Sequence, residues 1–408
     1  MKLVMVRYGE LFLKSEPVKH HFIGLLIRNI GKALSTAGLL YHFETPRGRI
    51  LIHGPEPEKI AAIASRIFGV VDVSVCTLTT TDIDALCTEA VALATRNLKA
   101  LMSFAVRGKR QNKVGLSSQE LGTLVGSAIY DNIPGLRVDL THPDYELFVE
   151  VRDFGGLIYD SRIEAPGGLP WGTQGKVLAL LSSGIDSPVA SWLMMKRGCE
   201  VTHLHMDGGS WAGKDVRAAA IENHRRLSLW CPGNPMAMII ADSEPLYDQM
   251  SRFRIPPRYR CVICKRFMMR VGSALLLQEG AAALVTGENL GQVASQTLAN
   301  LAVISEAVSA PVIRPLITYD KEETIIIARK IGTFDTHPGD LACRAVPKMP
   351  TTAAVLDAVK ECEAKLDIGE LVAHARASVQ YVTAQNGEII KKSEHGPDCD
   401  TKIVNRDD

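Results

Sequence analysis

The chain lacks most of the features that would assign a class at sight. No apolar run reaches the roughly 20 residues of a membrane-spanning helix, and the opening "MKLVMVRYGELFLK" is too polar for a secretory signal. A cytoplasmic protein with no membrane partner is therefore expected. Neither sign of charge dominates, with 46 Lys and Arg against 45 Asp and Glu, so a nucleic-acid partner would have to be held by a local patch rather than by the global field. The nine cysteines are odd in number and scattered, which argues against a disulfide framework. There is no internal repeat, no low-complexity tract, no G-x-G-x-x-G of a hydride-cofactor fold and no Gly-Lys-Ser/Thr of a mononucleotide P-loop.

What is present is a globular composition, 46% hydrophobic and 22% charged, over 408 residues, too long for one ordinary core. Residues 1–60 alternate strand and helix signals: "KLVMVRYG" and "RGRILIHG" are predicted strands, and "PVKHHFIGLLIRNIGKALSTAG" is an amphipathic helix ended by Gly38. Residues 61–163 repeat such a mixture, with helices in "EKIAAIASRIFGV", "DIDALCTEAVALATRNL" and "QELGTLVGSAIYDNI". Their strands are "MSFAVRG", "YELFVEVRD" and "GLIYDSR". A Gly- and Pro-rich linker, 164–175, follows. Residues 176–350 then read as continuous apolar strands alternating with helices, the signature of a parallel sheet covered on both faces. Ligands of such sheets bind at the carboxyl ends of the strands. The extension 351–408 begins with helical sequence, and the residues assign it no function.

One strand end carries the chemistry. In "VLALLSSGIDSPVA", Val177–Ala190, an apolar run stops at Ser182-Ser183-Gly184-Ile185-Asp186-Ser187 and helix-compatible sequence resumes at Pro188. Strand, small-residue loop and helix start together form a layout in which backbone N–H groups converge on an anion. The alternative is a plain tight turn with Ser187 as helix N-cap.

The loop resembles the S-G-G-x-D-S pyrophosphate loop of the ATP-pyrophosphatase (PP-loop) superfamily, with Ser183 in place of the first Gly. Four strings in matching order, spanning roughly 5 to 345, narrow the resemblance to the tRNA 4-thiouridine synthetase (ThiI) family. They are "RYGELFLK" at 7–14, "GGLPWGTQGKVLALLSSGIDSPVA", "TGENLGQVASQT" at 286–297 and "RPLITYDKEE" at 314–323. The resemblance implies an α/β protein with N-terminal ferredoxin-like and THUMP α+β domains, then a doubly wound parallel-sheet PP-loop domain of the adenine nucleotide alpha hydrolase kind. It implies adenylation of the C4 oxygen of uridine 8 in tRNA by ATP, with Mg²⁺, and replacement of that oxygen by sulfur. By the same carry-over Asp186, acting through Mg²⁺, and Lys321 are catalytic. Leu180, Leu181, Ser182, Ser183, Gly184, Asp186, Ser187, His205, Met206, Lys265, Gly287 and Gln296 contact ATP. His205 and Lys321, taken alone, read as a half-buried histidine and a solvated lysine. No rhodanese-like segment is recognisable, so sulfur would come from an external donor, a cysteine desulfurase persulfide or sulfide. A homodimer is the oligomeric expectation. Part of the family serves thiamine thiazole formation, and nothing in these residues establishes that role.

"CVIC", with Cys261 and Cys264, is a redox pair, half of a metal site or chance. Its flanks carry Arg258, Arg260, Lys265, Arg266 and Arg270, cations expected to lower the thiol pKa values. No second C-x-x-C completes a four-cysteine zinc site. Cys343 falls where the family has a functional cysteine, and the three together resemble the subtype holding an iron–sulfur cluster, which implies a 4Fe–4S cluster with one iron open. The competing reading makes Cys343 a persulfide carrier. Cys76, Cys87, Cys199, Cys231, Cys362 and Cys399 read as ordinary thiols.

Between Glu89 and Glu120 there is no acidic residue, whereas Arg96, Lys99, Arg107, Lys109, Arg110 and Lys113 are basic. Such a run is either a solvated face or, in a THUMP-like setting, a surface for tRNA phosphates. Two alternatives to uridine 4-thiolation stand beside it: a PP-loop tRNA thiolase with another target, such as 2-thiolation, and a non-catalytic tRNA-binding module.

Overall fold

Strand β1 (Lys2–Tyr8) is buried on both faces, because helices cover one side of its sheet and apolar side chains meet on the other. The computed structural model describes residues 2–10, 14–111, 116–334 and 339–393, in two compact units, Met1–Pro170 and Trp171–Asp408. Lys113 and Cys399, singled out in the sequence, lie outside the described residues. No helix among the described residues is long and apolar enough to cross a membrane.

In the first unit β1 is followed by α1 (Glu16–Thr36), β2 (His42–Glu44), β3 (Ile50–His53), α2 (Pro57–Ala64), β4 (Val70–Thr79) and α3 (Ile83–Asn97). Then come β5 (Ser103–Arg110), α4 (Ser118–Asn132), β6 (Arg137–Val138), β7 (Tyr145–Arg152), β8 (Gly155–Tyr159) and β9 (Ile163–Glu164). All nine strands form one sheet, ordered β2-β3-β1-β4-β8-β7-β5-β6, with β9 against β4. The period-2 alternation sends Val4, Val6, Ile50 and Ile52 beneath Leu26, Ile30, Leu34 and Ile60 of α1 and α2. Leu3, Met5, Leu51, Cys76 and Leu157 form a separate cluster. Helices α3 and α4 bury Leu86, Ala90, Leu121, Val125 and Ile129 against Phe104, Leu147 and Val149. Reading the sequence gives Val70–Thr79 no strand, yet β4 pairs with β1 on one side and β8 on the other, joining the two N-terminal segments. The expected linker is hydrogen-bonded on both sides of the unit break: Ala165 N–H donates to Val71 O at 2.9 Å, and Gly172 N–H to Gly198 O at 2.9 Å.

Glu150, buried on β7, ties this sheet together. It accepts from Arg152 (2.8 and 2.9 Å), Arg49 (3.3 Å) and the Tyr159 hydroxyl (3.1 Å). Burial pushes its carboxyl up, but the arginines outweigh that and hold it at about 2.

The second unit runs β10 (Lys176–Leu180), α5 (Asp186–Lys196), β11 (Glu200–Asp207), α6 (Val216–Leu227), β12 (Met236–Asp242), α7 (Glu244–Arg252), α8 (Arg260–Glu279) and β13 (Leu284–Val285). It continues with α9 (Leu298–Ser305), β14 (Val312–Ile313), α10 (Lys321–Ile331), α11 (Leu356–Glu363), α12 (Ile368–Ala377), β15 (Gln380–Gln385) and β16 (Glu388–Ser393). The sheet order is β14-β13-β10-β11-β12-β15-β16. The first five strands are parallel, as expected, and β15 and β16 add an antiparallel edge. Residues 351–393 are therefore part of this unit's core rather than an appendage. Val359, Leu366, Leu371, Ala375 and Tyr381 pack in one cluster with Leu178, Leu204 and Phe267. Arg266, 1% exposed, donates to Glu363 at 2.9 and 3.1 Å, and Arg270 donates to it at 2.7 and 2.9 Å.

Behind the sheet, His203 of β11 and His224 of α6 are fully buried with their Nδ1 atoms 2.8 Å apart. Burial keeps both rings neutral, His203 well below the ordinary 6.5 and His224 at about 3. The unfolded chain takes up protons below pH 6.5 that the folded chain refuses, so this stability is present above that pH and lost as pH falls. Urea midpoints measured at pH 7, 6 and 5 should drop with a slope of up to about 1.4 kcal/mol per pH unit for each histidine. His224→Gln should flatten that slope; an unchanged slope would remove the pair from the acid response.

Candidate active site

The carboxyl ends of β10, β11 and β13, the start of α8 and the loop around Cys343 enclose a cavity of about 440 Å³. Every residue expected to contact ATP lines it: Leu180, Leu181, Ser182, Ser183, Gly184, Asp186, Ser187, His205, Met206, Lys265, Gly287 and Gln296. So do Cys261, Cys264 and Cys343.

The loop after β10 is held by its own hydroxyls. Ser187 Oγ accepts from Ser182 N–H at 2.9 Å and lies 2.9 Å from Ser182 Oγ, which accepts from Gly184 N–H at 3.2 Å. Ser187 is thus not the N-cap of the tight-turn alternative: α5 starts at Asp186, two residues ahead of Pro188, and no side chain caps it. Its first-turn N–H groups remain for a ligand. Gly287 touches this turn. A β-carbon there would sit 2.7 Å from Ser187 N and 2.8 Å from Asp186 C, closer than atoms pack.

Both oxygens of Asp186 have protein partners, Lys321 Nζ at 2.7 Å and Gln292 Nε2 at 2.9 Å. Lys321 opens α10, whose Asp320 and Glu323 form a reciprocal cap, so its backbone is fixed where its side chain reaches Asp186. Lys265 of α8 is paired with Glu288 (2.9 Å), which also accepts from Arg314 (2.7 Å) and Thr286 (3.1 Å). Burial raises the Glu288 carboxyl, yet Lys265 and Arg314 hold it below the usual range. The reading of the sequence passes over Glu288; its position three residues past a strand end, inside "TGENLGQ", was the available signal. His205 is buried, and its Nδ1–H donates to Leu181 O at 2.9 Å; burial lowers its pKa and keeps it neutral.

Cys261 and Cys264 lie three residues apart in the first turns of α8 rather than ahead of it, which sets them on one helix face. Cys343 is exposed, in a segment clipped to residues 211–213. Arg344 N–H donates to Trp211 O and Gly213 N–H to Ala342 O, each at 2.8 Å. A side chain at Gly213 would strike Asp340 O at 2.0 Å. The expected lowering of the thiol pKa values is overturned: burial raises Cys261, and raises Cys264 to about 12. Four of the five flanking cations are engaged elsewhere, Lys265 with Glu288, Arg266 and Arg270 with Glu363, and Arg258 over the Tyr259 ring at 4.8 Å, while Arg260 lines the cavity itself. Cys76, Cys199, Cys231 and Cys362 are buried and Cys87 half-buried.

The basic stretch of the first unit is not one solvated face. Arg96, Lys99 and Lys109 are exposed, whereas Arg107 pairs with Glu146 at 2.6 Å and donates to Leu140 O at 2.9 Å. Arg110 Nη1 donates to Leu116 O at 2.7 Å.

Residues 172–368 match the family model described as thiamine biosynthesis protein (ThiI), 3–74 the ThiI ferredoxin-like domain and 80–159 the THUMP domain. The probable tRNA sulfurtransferase of Methanosarcina acetivorans is 36% identical, with 93% of each chain covered. That of Methanothermobacter thermautotrophicus is 37% identical over 91% of this chain and 95% of its own. Among solved structures, a 4-thiouridine synthetase–RNA complex with bound ATP superposes with a TM-score of 0.83 at 31% identity, covering 96% of this chain and 100% of that one. The PH1313 protein of Pyrococcus horikoshii gives 0.62 at 25% identity over 81% and 100%. A ferredoxin-like and THUMP half followed by a PP-loop half defines the class, and the chain belongs to the ThiI family, that of the tRNA sulfurtransferases.

The contact at Gly287 is the most direct test of this geometry. Overpacking costs about 1–3 kcal/mol, so Gly287→Ala should weaken ATP binding roughly 5- to 150-fold in isothermal titration, with far-UV circular dichroism unchanged. Wild-type affinity would show that the two loops do not constrain each other.

Proposed function

We propose that this protein is an ATP-dependent tRNA uridine 4-sulfurtransferase acting at position 8. The observation that carries the reading is the meeting, in one cavity, of an anion-binding loop and three cysteines. The C4 oxygen of uracil is a poor leaving group. Its attack on the α-phosphorus of ATP forms an O–P bond and expels pyrophosphate; sulfur then bonds to C4 and the oxygen departs with AMP. Backbone N–H groups and hydroxyls of Ser182–Ser187 cradle the pyrophosphate, and Lys321, held by Asp186, and Lys265, held by Glu288, offset the charge developing on phosphorus.

Mg²⁺ is ordinarily bound by one or two carboxylates and substrate phosphates; Asp186 supplies one carboxylate, already engaged by Lys321 and Gln292, so the ion would enter with the nucleotide. Among the described residues no group of three His, Cys, Asp or Glu side chains could hold a single metal ion. Cys261, Cys264 and Cys343 nevertheless wall one cavity, and a four-iron cube spreads its ligands more widely than one ion does. These three residues would hold a 4Fe–4S cluster, which supplies an iron without a protein ligand where sulfide can bind. The cysteines must lose their protons to do so. An external donor, sulfide or a desulfurase persulfide, provides the sulfur, and a homodimer working in the cytoplasm completes the proposal. The THUMP half binds tRNA through phosphate contacts.

Nucleoside mass spectrometry of a deletion strain should show loss of 4-thiouridine alone; loss of a 2-thiolated base instead would redirect the target, and no loss would leave a binding module. Anaerobically purified protein should be brown with about four irons. Replacing any of the three cysteines by Ala should abolish thiolation with sulfide while pyrophosphate release survives. Full thiolation by iron-free protein, inactivated only by Cys343→Ala, would establish the persulfide route instead.

Arg96, Lys99 and Lys109 replaced together by Ala should weaken tRNA binding and lower the log–log salt slope by up to about 0.9 per lost phosphate contact. Filter binding across a salt series measures both, and an unchanged slope would return these residues to a solvated face.

A further inference from the structure

The hydroxyl of Tyr247 lies 3.1 Å from the Sγ of Cys264. Tyr247 is on α7, 7% exposed, and its ring packs against close neighbours. Trp211 stacks on it with centroids 6.2 Å apart and planes at 28°, and Trp211 is itself anchored by its Nε1–H donating to Asp248 at 2.8 Å. Gly208 lies close to the ring as well: a β-carbon there would be in van der Waals contact with the ring edge at 3.4 Å. Tyr247 and Trp211 both line the cavity of the three cysteines.

Between a thiol and a phenol either atom can donate. A sulfur bonded to iron carries no proton, so in that state the phenol alone can be the donor. We propose that Tyr247 is a positioning residue for the sulfur chemistry, its hydroxyl donating a hydrogen bond to the Cys264 sulfur and drawing charge from it. Hydrogen bonds to ligand sulfurs are among the levers that set a cluster's reduction potential, favouring the more negative, reduced state. The bond also fixes the Cys264 rotamer, so that this ligand is aimed before any metal arrives. Among the described residues, Cys264 is the one of the three cysteines with a hydrogen-bonding side chain so placed. The inference rests on the cluster reading above, and its test separates the two.

Wild-type and Tyr247→Phe proteins are purified anaerobically and compared for iron content, reduction potential by dye-mediated titration and ATP-dependent pyrophosphate release. Expected are equal iron, a more negative potential in the variant and unchanged pyrophosphate release. Trp211→Phe, which keeps the phenol, should hold the wild-type potential. Iron-free wild-type protein would overturn the cluster reading itself. A Tyr247→Phe protein with full iron and the wild-type potential would overturn the hydrogen bond while leaving the cluster standing. Should the variant fail to take up iron, resonance Raman spectra of the wild type in H₂O and D₂O decide: an iron–cysteine band that shifts in D₂O supports the donor, and the absence of any shift removes it.

Discussion

The second unit depends on one close contact, the backbone of Gly287 against the backbone of Asp186 and Ser187. Two strand ends of a parallel sheet, β10 and β13, must come together with no side chain between them. The Ser182–Ser187 loop is then confined by its own serine hydroxyls and by Gly287. The rest of the site is fastened to this point. Lys321 reaches Asp186 from α10, Gln292 reaches it from the loop after Gly287, and Glu288, the next residue, fixes Lys265 on α8. Helix α8 in turn carries Cys261 and Cys264, so the positions of the Ser182–Ser187 loop and of these sulfurs trace back to the same constraint.

Charge in this unit is organised by pairing more than by accumulation. The basic string around "CVIC" looks, in one dimension, like an electropositive nest for thiolates. In three dimensions the helix distributes those side chains around its axis. Arg266 and Arg270 face Glu363 on α11 and Lys265 faces Glu288, while Cys264 is left in an apolar wall with Tyr247 as its polar neighbour. Burial then decides the thiol protonation, because it outweighs the lowering that Lys265 still exerts on both sulfurs. The same logic holds Glu150 ionised in the first unit, where three arginines converge on a buried carboxylate.

Features set by local sequence were legible. The turn "SSGIDS", the apolar strands of 176–285 and the helical periodicities all follow from residue type and spacing, and the residues that the family resemblance adds to them line one cavity. Features set by partners distant in the chain were not. Val70–Thr79 carries a strand signal of its own in the Val and Thr of "VVDVSVCTLT", which the reading of the sequence passes over; what its ten residues do not state is that β1 and β8 flank it. Glu288 and Tyr247 are ordinary residues until Lys265, Arg314 and Cys264 arrive beside them. The alternative of Ser187 as a cap fails for a related reason: in the folded loop its hydroxyl accepts from Ser182 N–H instead.

The antiparallel edge β15–β16 has a consequence for how the molecule comes into being. Strand β12 and helix α8 leave the ribosome well before α11, α12 and β15, which cover the flank of α8 and pair with β12. During that interval the nascent chain presents an open strand edge beside an apolar helix flank, the combination that invites pairing with a neighbouring chain. Completion of the nucleotide-binding unit is thus a late event in synthesis, and the segment synthesised last among its elements acts on the earlier ones as a tethered chaperone.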